Sequence, residues 1–269
     1  MPHSYIENEK TIRQLKISDA AGKIPLPNFD LLKISGPFQS VNEFFETSFF
    51  NFGELLNMTS TTPDSCVLDY GCGLGRLAIP FSLYLRNGHY VGIDANLTSL
   101  EHCKKSFAEN DKLKFMHFDL YSKMYNQAGK GFSMLGSTEL EMKFDICFLF
   151  SVFTHVLPEN TNELLEFIFK VLKPGGEMLA TFFLLNEHSL AEIMAGRATR
   201  KFPFEYGEAR IDNKNVPEGA VAYFQDDVLK RLTNTGFSDP FVIPGGWSRA
   251  PQQFHMPHQD IIICRKLSS

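Results

Sequence analysis

The sequence predicts an α/β fold whose core is a doubly wound parallel sheet with helices on both faces. Three observations carry that prediction. Between about residues 64 and 184, short runs rich in β-branched and aromatic residues alternate with helical patterns, the order that produces a parallel sheet covered by helices. Several of these runs are almost continuously apolar, as strands buried on both faces must be. A glycine-rich turn follows the first run, the place where open α/β sheets hold their ligands.

In chain order, the strand candidates are Cys66–Tyr70, Tyr90–Asp94, Leu113–Phe118, Phe144–Phe150 and Glu177–Phe183. Between the second and third, Leu97 to Glu109 reads as a helix that turns Leu97, Leu100, Cys103 and Phe107 toward the sheet and keeps Glu101, Lys104 and Lys105 wet. Before the fifth, Asn160 to Lys173 reads as a helix capped by Asn160, with Glu163 three residues on and Pro174-Gly175-Gly176 as its stop. A helix from Phe224 to Thr235 and two strands, about 239–244 and 259–266, close the chain.

Three regions break the alternation. Residues 1–60 form an N-terminal extension whose Phe38, Phe44, Phe45, Phe49, Phe50 and Phe52 are expected to pack on the core and cover a ligand site; residues 61–269 are expected to form one domain. Within it, about 121–142 is a Gly- and Ser-containing loop, and about 186–220 is a polar insertion.

Composition narrows the class. Apolar residues at 43% and charged residues at 21% are enough for a sizeable core and argue against large-scale disorder. With a net charge of −5 and no dense Lys/Arg run, the footprint of a duplex-binding surface is missing, so a nucleic-acid partner is not expected. The five scattered cysteines form no C-x-x-C pair, which speaks against a disulfide framework and a thiolate zinc site. No stretch has the length and apolarity of a signal peptide or membrane span, so the expectation is a cytoplasmic protein without a membrane partner.

The segment Val67-Leu68-Asp69-Tyr70-Gly71-Cys72-Gly73-Leu74-Gly75-Arg76 carries most of the chemistry. Closely spaced glycines let a backbone turn tightly and approach a ligand with no Cβ in the way, and a helix opening behind them would offer free N–H groups. A dinucleotide-binding turn is the competing reading. Its fingerprint wants Gly or Ala where Arg76 stands, whereas here the glycines recur at every second residue behind Asp69.

This pattern resembles the class I S-adenosylmethionine-dependent methyltransferases, strongly over about residues 64–184. The resemblance implies a Rossmann-like seven-stranded sheet with an antiparallel last strand, S-adenosylmethionine as cofactor, and S-adenosylhomocysteine as product. It places the main chain around Gly71, Cys72 and Gly73, with Asp69, at the methionine end of the cofactor. Asp94, with Ala95 beside it, would bind the ribose hydroxyls, and Phe118, Asp119 and Leu120 would hold the adenine. A carbonyl of Phe150 or Ser151 would meet the ammonium. Arg76 would clamp the cofactor carboxylate or, alternatively, sit on a helix face. Phe150-Ser151-Val152-Phe153-Thr154-His155 and Leu172-Lys173-Pro174-Gly175-Gly176 are similar to further motifs of the same family.

Methyl transfer at a sulfonium needs alignment above all, and a base only if the acceptor must lose a proton. His155, leaving the fourth strand, is the candidate base, with the alternative that it is a structural hydrogen-bonding group. Trp247 and Arg249 are candidate acceptor contacts, against a packed hairpin. His255, His258 and Asp260 match no strong metal-ligand spacing, and no metal is expected. The expected reaction moves a methyl group to an oxygen or nitrogen of a small-molecule acceptor, with a glycan-related one among the possibilities, and a homodimer is open. The competing functions are a cofactor-binding partner or regulatory subunit without turnover, and an NAD-dependent oxidoreductase.

Overall fold

The computed structural model describes residues 26–35, 38–123, 126–138, 140, 143–248 and 258–267. It divides into two compact units: one runs to Phe118 and includes Phe144–Ile146, the other comprises Asp119–Lys143 and the chain from Cys147.

The first unit begins with helices α1 (Phe29–Ser35) and α2 (Val41–Met58). Ser40 starts α2 by accepting the Glu43 N–H at 3.1 Å, while the Glu43 carboxylate accepts the Gln39 N–H at 2.6 Å. Phe44 and Phe52 are fully buried, and Phe52 meets Phe81 and Tyr84 edge-on at 5.0 and 5.2 Å. Phe50, by contrast, is exposed. Strand β1 (Cys66–Tyr70) pairs in parallel with β2 (His89–Asp94), and β2 in parallel with β3 (Leu113–His117). Helix α3 (Ala78–Tyr84) joins β1 to β2, and α4 (Leu97–Ser106) joins β2 to β3.

Two details of this unit differ from the sequence expectation. Asn96 caps α4 by accepting the Ser99 N–H at 2.9 Å, so Leu97 falls in the first turn and is exposed, while Leu100, Cys103 and Phe107 are buried as expected. The glycine-rich turn does not run straight into a helix. Gly71, Gly73 and Gly75 have φ of 79°, 51° and 76°, and each left-handed residue breaks helical propagation, so α3 opens only at Ala78.

Strand β4 (Phe144–Leu149) continues from the first unit into the second. The second unit adds α5 (Met134–Ser137), α6 (Pro158–Val171), β5 (Leu172–Phe182), β6 (Leu184–Leu185), α7 (Glu187–Met194), β7 (Phe204–Tyr206), β8 (Ala209–Ile211), β9 (Val221–Phe224), α8 (Gln225–Thr235), β10 (Phe237–Ile243) and β11 (Asp260–Lys266). Helix α6 starts at Pro158 rather than after Asn160, because proline at the first helical position needs no N–H partner and arrives with helical φ. Strand β5 begins at Leu172, five residues before the expected Glu177. Strand β11 runs antiparallel to both β5 and β10. The principal sheet has the order β10-β11-β5-β4-β1-β2-β3, a mostly parallel seven-stranded sheet with its last strand reversed.

The polar segment 186–220 is largely built. Its short strands join β6 and β9 in a second sheet of order β6-β9-β8-β7. Leu185 and Ala222 of this sheet are buried in one cluster with Phe183, Phe202, Ala220 and Trp247. No helix among the described residues is long and apolar enough to cross a membrane.

Candidate active site

In the first unit the glycine-rich turn spends its donors internally. The N–H groups of Gly71 and Cys72 both reach the Ile93 carbonyl, at 2.8 and 3.1 Å, and the Gly75 N–H reaches the Cys72 carbonyl at 2.9 Å. The Gly73 N–H donates to Asp94 Oδ2 at 2.8 Å. The turn is thereby fastened to the end of β2. Gly92 of β2 helps to make room for it: a Cβ there would stand 2.9 Å from the Cys72 sulfur and 3.0 Å from the Phe115 ring.

Asp94 is half-buried. Its Oδ1 accepts the Asn96 N–H at 2.8 Å, so each oxygen carries one of these main-chain bonds. A carboxylate has about four lone-pair positions, so it keeps acceptor capacity for a vicinal diol. Burial raises the Asp94 carboxyl above its ordinary pKa, opposed by the N–H groups of Asn96, Gly73 and Ala95.

Asp69 is buried and accepts the Tyr90 hydroxyl at 2.5 Å. The register explains the meeting: Tyr90 lies opposite Val67 and Gly92 opposite Asp69, so both side chains stand on one face, two residues apart in register. Desolvation pushes the Asp69 carboxyl up to about 7, against the opposing pull of Tyr90 and of the nearby Arg76 charge. Arg76 lies 5.8 Å from the Phe38 ring, and its carbonyl accepts the buried Ser48 hydroxyl, so α2 and the segment before it brace the far end of the turn. Phe118, buried at the end of β3, stands edge-on to Tyr70 at 6.4 Å, and its N–H reaches the Asp94 carbonyl at 3.0 Å.

The second unit holds the other predicted residues. Asp119 is half-buried; its Oδ1 accepts Asn126 Nδ2 at 3.0 Å and its carbonyl accepts the Lys130 N–H at 2.7 Å, while the neighbouring Leu120 is buried. Phe150, half-buried, packs edge-on to Phe148 at 6.1 Å. Ser151 adopts φ of 58°, a conformation costly for a residue with a Cβ. It is held there by its N–H on Thr181 Oγ1 at 2.7 Å and its hydroxyl on Gln259 Oε1 at 3.1 Å.

His155 ends a 3₁₀ turn, Phe153–His155, and its Nδ1 lies 2.7 Å from the Glu218 carbonyl. A carbonyl can only accept, so Nδ1 carries the proton and Nε2 is the basic nitrogen of the neutral ring. Burial lowers the His155 pKa from 6.5, and the Arg200 charge lowers it further.

Trp247 and Asp260 are structural. The Trp247 ring is fully buried, its Nε1 donates to Asp260 Oδ2 at 2.7 Å, and the same carboxylate accepts the N–H groups of Leu184 and Gly245 at 2.7 and 2.6 Å. This corrects the reading of Trp247 as an acceptor contact in favour of the packed hairpin. Arg249 and His255 lie outside the described residues, as do residues 1–25 of the N-terminal extension. No group of three or more potential metal ligands occurs among the described residues.

Sequence reasoning missed Tyr90, Thr181, Asn126 and Glu218, which hold the predicted residues in place. Nothing local marks them, since each meets its partner through tertiary structure or loop closure.

Residues 68–178 match the family model described as a methyltransferase domain. The probable thiol methyltransferase 2 of Arabidopsis thaliana is 28% identical over 131 residues, which cover 49% of this chain and 52% of that protein. An uncharacterised protein of Rickettsia prowazekii is 28% identical over 110 residues, 41% of this chain and 39% of that protein. The chain therefore spans about half the length of one of these curated relatives and about two fifths of the other's. Magnesium protoporphyrin IX methyltransferase from Synechocystis PCC 6803, crystallised with bound SAH, superposes with a TM-score of 0.51 over 88% of this chain and 94% of that one, at 15% identity. Residues 68–178, which hold the alternating glycines and the carboxylate ending β2, therefore match a methyltransferase domain, and the fold, with its mostly parallel seven-stranded sheet, is that of the similar solved structure.

Proposed function

We propose that this chain transfers a methyl group from S-adenosylmethionine to an oxygen or nitrogen of a small-molecule acceptor. The observation that carries the proposal is the joint Gly73–Asp94 unit, a Cβ-free turn tied to a carboxylate with acceptor capacity left for a ribose diol. The cofactor supplies an electrophilic methyl group on a sulfonium. The residues of the chain bind and orient. Asp94 accepts the two ribose hydroxyls. Asp69 and the main-chain carbonyls of the glycine-rich turn take the cofactor's ammonium, which only donates and so calls for acceptors; the N–H groups of Gly71, Cys72, Gly73 and Gly75 have partners within the chain. Phe118, Asp119 and Leu120 hold the adenine, with Asn126 fixing the Asp119 carboxylate. The main chain at Phe150 and Ser151, set by the left-handed Ser151, offers a further carbonyl to the ammonium. Arg76, charge-coupled to Asp69, pairs with the cofactor carboxylate.

On the acceptor side, His155 accepts a proton at Nε2, with Nδ1–H on the Glu218 carbonyl fixing the tautomer. The acceptors in relatives' names differ in kind, a thiol in one and a porphyrin in another, so those names narrow the reaction more than the substrate. The test is calorimetry with S-adenosylhomocysteine followed by transfer from labelled S-adenosylmethionine to a panel of hydroxy and amino compounds. Binding with turnover is expected. Binding without turnover on any acceptor would favour a regulatory subunit, and no binding would overturn the proposal.

A further inference from the structure

We propose that the segments leaving β4 and β5 in the second unit form a binding site for a compact oxyanion, carboxylate or phosphate, carried by the methyl acceptor, built from Arg200, His258 and His155 beside the ring of Phe183. The inference rests on the transferase reading above and names the substrate class that reading leaves open.

The arrangement starts at Phe183, the residue after β5, whose ring is buried. The Arg200 guanidinium stands 5.3 Å from its centroid, within cation–π range, and the His258 ring meets it edge-on at 6.1 Å. Ser151 ties these segments together: its N–H is on Thr181 near the end of β5, and its hydroxyl is on Gln259, the neighbour of His258. Four residues beyond Ser151, His155 is fixed by the Glu218 carbonyl. Burial opposes protonation of both rings, and the Arg200 charge adds to it at His155 and at His258, with Glu218 acting the other way on His155.

The acids next to this point, Asp212, Glu218 and Asp260, are all engaged by protein donors. Arg200 donates through Nη1 to Asp212 Oδ2 at 2.8 Å, which positions the guanidinium; among the described residues its Nε and Nη2 have no hydrogen-bond partner, and the side chain is 39% exposed. The two other acids are turned elsewhere: Glu218 Oε2 accepts the Ser122 hydroxyl and the Lys123 N–H, and Asp260 accepts the N–H groups of Leu184, Gly245 and the Trp247 ring. A planar guanidinium held by one carboxylate on one corner, with two donor nitrogens left over and two imidazoles in its field, is the chemistry that recognises a forked oxyanion. An arriving anion offsets the Arg200 charge at both rings, while the burial that chiefly keeps them neutral remains, so it is held by the fork of Arg200 and sensed by the histidine rings.

The experiment titrates the full-length protein with benzoate, with inorganic phosphate and with neutral benzamide, following the histidine ring resonances by NMR, and measures S-adenosylhomocysteine affinity in parallel. Saturable shifts of His258 and His155 with benzoate or phosphate are expected, with none for benzamide. Benzoate alone would assign a carboxylate, and phosphate alone a phosphorylated acceptor. Arg200→Met should weaken anion binding at least tenfold and leave S-adenosylhomocysteine affinity within twofold. His258→Gln, which spares the Asp212 pair, should weaken it about threefold and serves if Arg200→Met does not fold. Equal response to benzamide, no saturation with either anion, or anion affinity unchanged in the variants would overturn the proposal. Failure of the wild type to bind S-adenosylhomocysteine would instead overturn the transferase reading, independently of the anion result.

Discussion

The Gly73 N–H donates to Asp94 Oδ2 at 2.8 Å, joining the turn after β1 to the carboxylate that ends β2 across 21 residues of sequence. One carboxylate thus holds the shape of the turn and is proposed to bind the ribose, so the two roles should be lost together. In Asp94→Asn one oxygen becomes an amide NH2, which donates and cannot accept, so either the Gly73 or the Asn96 N–H loses its acceptor and one hydroxyl of the diol loses its own. At about 1.5–3 kcal/mol for each charge-assisted bond, S-adenosylhomocysteine affinity should fall by about a hundredfold or more. Calorimetry on the variant checks this; an affinity within threefold of wild type would remove Asp94 from the site.

Gly75 tests the turn itself. Its φ of 76° is strained for any residue with a side chain, and an added Cβ would lie 3.0 Å from the Cys103 sulfur and 3.2 Å from Phe107. Gly75→Ala should therefore cost about 1–2 kcal/mol from the left-handed conformation alone, with the contacts to α4 adding to it. Denaturant unfolding should show a lower midpoint at unchanged slope.

The alternation at Gly71, Gly73 and Gly75 was legible because each glycine answers a backbone demand that no other residue meets cheaply. The strands of the principal sheet were legible for a related reason: burial on both faces forces long apolar runs such as Phe144–Leu149. Leu97 misled because helical spacing ignores where a helix begins; once Asn96 is the cap, Leu97 lies in the exposed first turn. The second sheet escaped because β7 and β8 are three residues each, too short for a period to appear, and lie among charged residues. Tyr90 escaped because its bond to Asp69 depends on strand register, which a single sequence does not print.

Asp69 should make both stability and cofactor affinity depend on pH. Its carboxyl, ordinarily near 3.8, is pushed up to about 7 in the folded chain, so the folded state holds a proton that the unfolded state has released. The stability contributed by this group is therefore present below about pH 4 and declines as pH rises toward 7. If Asp69 takes the cofactor's ammonium as proposed, binding needs the ionised form and runs the other way, with affinity rising by up to tenfold per pH unit below about 7 and levelling above it. Calorimetry between pH 5.5 and 8 would show the slope. Tyr90→Phe removes a hydrogen bond that favours the carboxylate and should move the break to higher pH, while Asp69→Asn should flatten the profile.

Asp260 is predicted to govern stability rather than chemistry. Its buried carboxylate satisfies Leu184 N–H, Gly245 N–H and Trp247 Nε1–H together. Asp260→Ala leaves three donors without their acceptor, each worth about 1–3 kcal/mol when buried, which exceeds the margin of many domains. Most of the variant should be insoluble or unfolded by circular dichroism. Trp247→Phe keeps the apolar packing and loses one donor, so it should remain folded, with its Tm lowered by a few degrees.

His155 provides the test of proton transfer. Because burial and the Arg200 charge lower its pKa from 6.5, the ring is neutral at pH 7 and starts to protonate only in more acid solution. The folded state binds that proton less readily than the unfolded chain, so stability also declines as pH falls below about 6.5. If His155 takes the acceptor's proton, kcat/KM for the acceptor at saturating S-adenosylmethionine should stay level from neutral pH upward and drop in acid with an apparent pKa below 6.5. His155→Gln can still donate to the Glu218 carbonyl but cannot accept a proton near neutrality. It should lower kcat by about 10²–10⁴-fold on an acceptor that must be deprotonated, with S-adenosylhomocysteine affinity unchanged. A full kcat in that variant with the acid limb still present would assign the proton transfer to another group and leave His155 as the brace of Glu218.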